Sequence, residues 1–192
     1  MAAPFRILMV CTGNICRSPM AEQMLRQKFA QRNIKNVVID SAGVFAMVGQ
    51  TMTPETAVAL SNAGVKPSKH AARQTTTEML ASYNLVLTAT TEHRAEVVRT
   101  LTRANRYTYT IKEFANLVSY VANPDPDVEL PTPTDLADKL LSASMARGYA
   151  PEVSQADIED PYLQHQDVFE ATRLELDPLL DAIADWAVLD VK

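Results

Sequence analysis

Four short runs of apolar and β-branched residues recur along the chain, and they constrain its fold more than any other feature. They cover Phe5–Val10, Val37–Asp40, Asn84–Thr88 and Tyr107–Ile111. Several are apolar throughout rather than alternating, which is typical of strands buried on both faces of a parallel sheet. Segments with helical periodicity separate them. The pattern predicts an α/β fold with a doubly wound, four-stranded parallel sheet, right-handed crossovers and helices on both faces.

The helices are predicted from their capping residues and apolar spacing. Ser18 is a candidate N-cap for the first helix, with Pro19 at its first position. A third, short helix is expected to begin after Thr76 or Thr77 and to run to Tyr83. The other predicted helices cover 54–64, 91–102 and 167–188, the last kinked or divided at Pro178.

The stretch from Ala115 to Gln155 differs from the rest of the chain. Four prolines fall within ten residues (Pro124, Pro126, Pro131 and Pro133), so a loop is expected there. A short amphipathic helix over Leu136–Met145 follows it. The piece is too small to enclose its own core, so we predict a single domain over residues 1–192.

Composition narrows the functional classes. A net charge of −5 at pH 7 argues against a nucleic-acid surface, and no apolar run approaches the roughly 20 residues of a membrane helix. Two cysteines five positions apart cannot form a disulfide framework, so a reducing cytoplasm is expected. Three scattered histidines and that close pair supply no ligand set, so neither metal nor cofactor is expected.

The segment Val10–Pro19 carries the chemistry. A buried strand delivers Cys11 to the sheet edge where α/β proteins bind ligands, a compact loop follows, and a helix begins. Loop amides and the helix N-terminus together form an anion site. Gly13 and Asn14 suit left-handed backbone, and Arg17 offers a planar fork for two phosphate oxygens. The same positive field favours the thiolate of Cys11.

This loop resembles that of the low-molecular-weight protein tyrosine phosphatases. The resemblance extends over most of the chain. It includes Val10–Glu22, Ser41-Ala42-Gly43, His70–Gln74, Leu85–Thr88 and Asp160-Pro161-Tyr162. It implies the flavodoxin-like strand order 2-1-3-4. The stretch of about 115–155 departs from the compact family pattern and is expected to be an insertion.

The resemblance also implies roles. Cys11 would be the nucleophile that forms a phosphocysteine, and Arg17 would clamp the phosphoryl oxygens. Ser18 would donate a hydrogen bond to the Cys11 sulfur, and Asn14, Ser41 and His70 would hold the loop in shape. The phosphate-binding loop would comprise Thr12, Gly13, Asn14, Ile15, Cys16 and Ser18.

Asp160 is the expected general acid, because it precedes Pro161-Tyr162 and a helix start, as the family requires. Asp125, also followed by proline, is the fallback acid. Tyr162, and Phe45 or Met47, would wall the pocket, although each is equally compatible with a core position. Cys16 is either a packed small hydrophobe or the partner of Cys11 in a reversible disulfide after oxidation.

Ile15 bears on the substrate. Related bacterial enzymes that act on phosphoarginine carry Thr where this loop has Ile15, and a bulky apolar side chain should crowd a guanidinium group and suit a phenyl ester. We therefore expect a phosphotyrosine protein as substrate, with protein phosphoarginine the alternative, and inhibition by inorganic phosphate or other oxyanions. Arsenate reduction is disfavoured because no distant second cysteine exists. A non-catalytic phosphate-binding module is the remaining alternative, and the sequence leaves the oligomeric state open.

Overall fold

A computed structural model describes residues 3–188 and contains one parallel sheet. Its strands are β1 (Phe5–Cys11), β2 (Val37–Gly43), β3 (Leu85–Thr88) and β4 (Thr108–Thr110). They lie in the order β2-β1-β3-β4, and every pairing is parallel. The predicted fold class and strand order are confirmed. The runs predicted over Asn84–Thr88 and Tyr107–Ile111 contain β3 and β4, whereas β1 and β2 extend past the ends of their predicted runs, to Cys11 and Gly43.

Helices connect the strands and cover the sheet. The described residues contain α1 (Arg17–Gln31), α2 (Pro54–Asn62), α3 (Thr77–Ala81), α4 (Thr91–Thr100), α5 (Ile111–Ala122), α6 (Leu136–Met145) and α7 (Gln166–Ala187). Pro178 lies inside α7, and the helix continues through it rather than dividing. Among the residues from 3 to 188, no helix combines the length and apolarity needed to cross a bilayer.

The alternating residues of β1 divide the interior into two cores. Ile7 and Met9 belong to the larger cluster, which is formed with α1, α2, α5 and α7. Leu8 and Val10 belong to the smaller cluster, which is formed with α3 and α4. Because successive strand side chains point to opposite faces, this division means that helices bury both faces of the sheet. The apolar, non-alternating sequence of β1 follows directly from that double burial.

Helix α5 was not predicted, and the structure corrects the boundary of the irregular segment. Thr110 and Glu113 form a capping box at its start, in which each side chain accepts from the other's backbone N–H. Phe114, Leu117 and Val118 bury one face of the helix against the core. The proline-rich stretch beyond Ala122 does lack regular structure up to α6, as expected. That the region is an insertion in a single domain stays a prediction.

Candidate active site

The candidate site lies where β1 ends, at the carboxyl edge of the sheet. β1 pairs with β2 on one side and with β3 on the other, so the connections leave it in opposite directions. Such a switch point leaves a crevice beyond the strand ends, which is where open α/β sheets bind ligands. Cys11 is the last residue of β1, and residues 12–16 form the loop that leads into α1.

The carbonyl oxygens of Cys11 and of the five loop residues all accept hydrogen bonds from groups outside the loop. The donors are Val44 N for Cys11, Phe45 N for Thr12, Met47 N for Gly13, His70 Nε2 for Asn14, Thr53 N for Ile15 and Met20 N for Cys16, at 2.6–3.1 Å. In a planar trans peptide, the C=O of one residue and the N–H of the next point in opposite directions. The N–H groups of residues 12–17 therefore point to the inner side of the loop. A ring of inward amides is an anion-binding nest.

Asn14 holds the loop from its centre. It is fully buried and has left-handed backbone, with φ of 58°. Its side-chain Nδ2 donates to Ser18 Oγ at 2.9 Å and to Ser41 Oγ at 2.8 Å, and its Oδ1 accepts from Arg73 N at 2.8 Å. The left-handed prediction was right for Asn14 and wrong for Gly13, whose φ is not positive. Asparagine tolerates this conformation, and the side-chain bonds fix it.

The predicted supporting residues lie around Asn14. Ser41 accepts from Asn14 and donates to Glu22 Oε2 at 2.5 Å. Glu22 is buried and is itself paired with Arg26 at 2.9 Å. His70 Nε2 donates to the Asn14 carbonyl at 2.6 Å, so it contacts the loop instead of lying free on the surface.

Gly43 allows the second strand to approach the loop closely. A Cβ built at this position would overlap the carbonyl oxygen of Thr12 and would lie 3.0 Å from Asn14 N. Any larger residue would push the loop away from the sheet. The backbone N–H groups of Val44 and Phe45, which bind the loop carbonyls, follow directly after this glycine.

Cys11 and Ser18 are in direct side-chain contact at the start of the loop and of α1. Cys11 is 2% exposed, and its sulfur lies 3.0 Å from Ser18 Oγ. Because Asn14 Nδ2 donates to that hydroxyl oxygen, the single hydroxyl proton of Ser18 points to one of two acceptors, the sulfur at 3.0 Å or the Ala42 carbonyl oxygen at 3.4 Å, and the sulfur is the nearer. The prediction that Ser18 caps α1 is wrong, since the helix begins one residue earlier, at Arg17, without a side-chain cap. Ser18 instead turns its hydroxyl into the site.

Arg17 extends from the first turn of α1 along the floor of the site and is 4% exposed. Nη1 donates to Ile158 O at 3.1 Å, and Nη2 lies 3.4 Å from Thr12 Oγ1 and 2.6 Å from Asp160 Oδ2. Nε is buried and has no hydrogen-bond partner among the described residues. A buried guanidinium N–H without a partner is costly, and an oxyanion bound in the loop would satisfy it.

Asp160 and the aromatic side chains enclose a cavity of about 150 Å³ above the sulfur. The cavity is lined by Cys11, Thr12, Gly13, Ile15, Cys16, Arg17, Phe45, Met47, Asp160 and Tyr162. Phe45 is 65% exposed and Tyr162 is 38% exposed, so these two rings form a rim and are not core residues. Both Phe45 and Met47 line the wall, where the sequence left a choice between them.

Of the three Asp-Pro aspartates, only Asp160 lines this cavity. Asp125 contacts the Tyr120 hydroxyl at 3.0 Å in the proline-rich segment, and Asp177 pairs with Lys28 at 2.8 Å on α7. The segment before Asp160 is anchored by Ile158, whose N–H donates to Ala89 O at 2.9 Å.

Two titratable groups beside the loop are held neutral. Burial raises the pKa of the Cys16 thiol to about 11, with the neighbouring Cys11 adding to the rise. Burial and the positive charge of Arg17 lower the pKa of His93 to about 4. At neutral pH Cys16 is therefore a thiol and His93 an uncharged imidazole.

Sequence reasoning missed His93 and the supporting role of Glu22. Glu22 lies at the end of the stretch that resembles the family, so a signal for it was present. His93 contacts Thr12, which is 81 positions away in the chain, and no local pattern indicates that contact.

The fold and the site together define the class of protein. A cysteine at the end of a central parallel strand, an amide-lined loop, an arginine from the following helix turn and a facing aspartate form the architecture of a cysteine-dependent phosphatase. A family model described as "Low molecular weight phosphotyrosine protein phosphatase" matches residues 6–146. The chain belongs to this family.

Individual relatives carry two different activities in their names. The low molecular weight protein-tyrosine-phosphatase Etp of Escherichia coli K12 is 42% identical over 91 residues, which cover 47% of this chain and 58% of Etp. The protein-arginine-phosphatase of Geobacillus stearothermophilus is 30% identical over 182 residues, which cover 95% of each chain.

Solved structures agree with the fold. The YwlE arginine phosphatase from Geobacillus stearothermophilus has a TM-score of 0.69 at 29% identity, over 95% of this chain and 92% of that one. A low molecular weight protein tyrosine phosphatase from T. tengcongensis has a TM-score of 0.69 at 29% identity, over 94% and 98% of the two chains.

Proposed function

We propose that the protein hydrolyses phosphomonoesters on other proteins through a phosphocysteine intermediate. The observation that carries the proposal is the orientation of the loop. Six carbonyls are bound on its outer side, which turns the amides of residues 12–17 toward the Cys11 sulfur and the unpartnered Nε of Arg17. These donors match the equatorial oxygens of a phosphoryl group in transfer.

The first step forms one bond and breaks one. The Cys11 thiolate attacks phosphorus, the P–O bond to the leaving group breaks, and that oxygen takes a proton from Asp160. Arg17 and the loop amides stabilise the charge on the phosphoryl oxygens. In the second step water attacks phosphorus, gives a proton to Asp160 and displaces the sulfur, which Ser18 stabilises as an anion. Inorganic phosphate is released, so it should also compete with the substrate.

Asp160 fits the role of acid by position. Its Oδ2 lies 2.6 Å from Arg17 Nη2, on the rim of the cavity between Arg17 and Tyr162. A phosphoryl group that binds Arg17 competes for that contact and leaves the carboxyl group facing the leaving oxygen.

A comparison of leaving groups tests this assignment. Asp160→Asn should lower kcat for phenyl phosphate by roughly 10² to 10⁴, the range of general-acid contributions, and by less for p-nitrophenyl phosphate. Asp125→Asn is the matched control and should change neither rate. An equal loss for both substrates would show that Asp160 is not the acid. If the wild-type protein binds phosphate but turns over neither ester, the protein is a phosphate-binding module.

Within this class we propose phosphotyrosine as the substrate residue. Ile15 is 5% exposed and lines the cavity, so its apolar side chain contacts whatever group carries the phosphate. A phenyl ring is stabilised by burial against an apolar side chain, whereas a guanidinium group would lose hydrogen-bond partners there. Phosphoarginine, in which phosphorus is bound to nitrogen and not through an ester oxygen, is the second candidate, because the arginine phosphatase of Geobacillus stearothermophilus aligns with almost the whole chain.

Kinetics on matched peptides distinguish the two substrates. The wild-type protein should have the higher kcat/KM for a phosphotyrosine peptide than for a phosphoarginine peptide of the same sequence, and Ile15→Thr should narrow the ratio. Faster turnover of phosphoarginine, with little effect of Ile15→Thr, would overturn the assignment.

The two cysteines support a redox proposal and a reducing, cytoplasmic location. Cys11 and Cys16 are both free thiols, and both line the cavity. Peroxide would oxidise the Cys11 thiolate to a sulfenic acid, which Cys16 would attack to form a disulfide with loss of water. Because burial keeps Cys16 protonated, this closure should accelerate as the pH rises. Mass spectrometry after mild peroxide should detect the crosslink; sulfinic acid on Cys11 alone would contradict the proposal.

A further inference from the structure

The hydroxyl group of Thr12 joins the catalytic arginine to a buried histidine. Thr12 Oγ1 lies 3.4 Å from Arg17 Nη2, which donates to it, and 2.8 Å from His93 Nε2. The other ring nitrogen, Nδ1, lies 2.8 Å from Thr90 Oγ1. A continuous chain of hydrogen bonds therefore runs from the guanidinium group through Thr12 and His93 to Thr90.

The histidine end of this chain is rigid. His93 lies in the first turn of α4 and is 5% exposed. Its backbone N–H donates to the Thr90 hydroxyl, the N-cap of α4, at 3.2 Å, while its ring binds the same oxygen. Both ring nitrogens are thus engaged, and the imidazole plane is fixed by a helix that takes no part in the phosphate-binding loop.

We propose that His93 is a positioning residue, which fixes the Thr12 hydroxyl and, through it, the orientation of the Arg17 guanidinium group. The inference rests on the proposed function, because its consequence is phosphate binding and turnover. It adds a second support to the loop. The Asn14 network holds the loop on the side of β2, whereas His93 holds its first residue from α4.

The charge of His93 is consistent with this role. The charged groups that act on the ring are Arg17, Asp160 and Asp157. The imidazole is neutral at pH 7, so it does not repel Arg17, and one of its two nitrogens accepts a hydrogen bond from a hydroxyl group. Neutral imidazole offers one donor and one acceptor, and glutamine offers the same pair.

Variants at His93 and Thr12 test the inference with phosphate binding as a readout beside turnover. His93→Leu and Thr12→Val should each weaken competitive inhibition by inorganic phosphate and lower kcat/KM for p-nitrophenyl phosphate about 5- to 30-fold, the size of one lost anchoring hydrogen bond. His93→Gln should restore most of both values. The matched control is His165→Leu at the exposed N-cap position of α7, where the side chain makes no capping bond; it should change neither value.

The double variant separates positioning from mere packing. If His93 acts through Thr12, Thr12→Val/His93→Leu should be no worse than the poorer single variant, because the second substitution removes a contact already lost. The inference would be overturned if the fold losses of the two single variants multiplied in the double variant. It would also be overturned if His93→Gln were as impaired as His93→Leu. Should His93→Leu fail to fold, Thr12→Val and His93→Gln still decide it: a Thr12→Val variant with unchanged phosphate inhibition would refute it. A wild-type protein without turnover would instead refute the proposed function.

Discussion

Asn14 lies at the centre of the loop over residues 12–16, and its contribution to stability follows from its contacts. Its side chain makes three hydrogen bonds: those to Ser18 and Ser41 are buried, and the one from Arg73 N is partly buried. Each contributes about 1 kcal/mol net. The left-handed backbone at φ 58° costs an alanine about 1 kcal/mol more than an asparagine. Asn14→Ala should therefore lower the free energy of unfolding by about 4 kcal/mol, a large fraction of the roughly 5–15 kcal/mol typical of a domain.

Urea denaturation measures this loss, and two further variants divide it into parts. Asn14→Gly removes the hydrogen bonds but tolerates the backbone, so it should lose about 3 kcal/mol. Asn33→Ala is the matched control, because Asn33 is exposed and has nearly the same φ, 55°. It should lose only the backbone part, about 1 kcal/mol. Equal losses for Asn14→Ala and Asn33→Ala would refute the argument that the side-chain network holds the loop.

Two other predictions concern the surroundings of the loop. Gly43→Ala should reduce kcat/KM and phosphate affinity, because its Cβ would overlap the Thr12 carbonyl oxygen; unchanged values would show that the loop can shift at no cost. His93 should make stability depend on pH, because the unfolded chain binds a proton below its ordinary pKa of 6.5 and the folded protein only near 4. As the pH falls from 6.5 to 4, the free energy of unfolding should therefore decrease by roughly 3 kcal/mol more in the wild type than in His93→Gln. Urea midpoints of the two proteins, corrected for their difference at pH 8, measure this effect. Corrected midpoints that stay identical across that pH range would contradict the prediction.

Local sequence patterns predicted secondary structure correctly where burial and turn chemistry allow few alternative conformations. The four strands were predicted because double burial demands apolar residues at successive positions, and β1 and β3 have them. Helix α5 was missed although its capping box, Thr110 and Glu113, is visible in the sequence. Because of the prolines that follow, the irregular segment was predicted to begin at Ala115, although α5 continues to Ala122. The cap assigned to Ser18 was wrong for a different reason: a serine near a helix start satisfies the capping pattern, but here its hydroxyl is drawn to Cys11 and Asn14.

The sequence by itself determined the succession of the four strands and of every helix except α5, the loop that follows β1, and the residue types proposed to bind and attack a phosphate. Only the tertiary structure decided which distant groups complete the site. Among the three Asp-Pro aspartates, the sequence favoured Asp160 only through the family resemblance. The contact of its carboxyl group with Arg17 is seen only in the structure, where the segment at Ile158 packs against Ala89 and Arg17. No local sequence pattern indicated that His93 contacts Thr12. Strands and turns are determined by residues within a few positions of each other in the chain. The contacts of Arg17, in contrast, join residues up to 143 positions apart, and they form only when the folded sheet places the segments that follow its strands next to each other at its carboxyl edge.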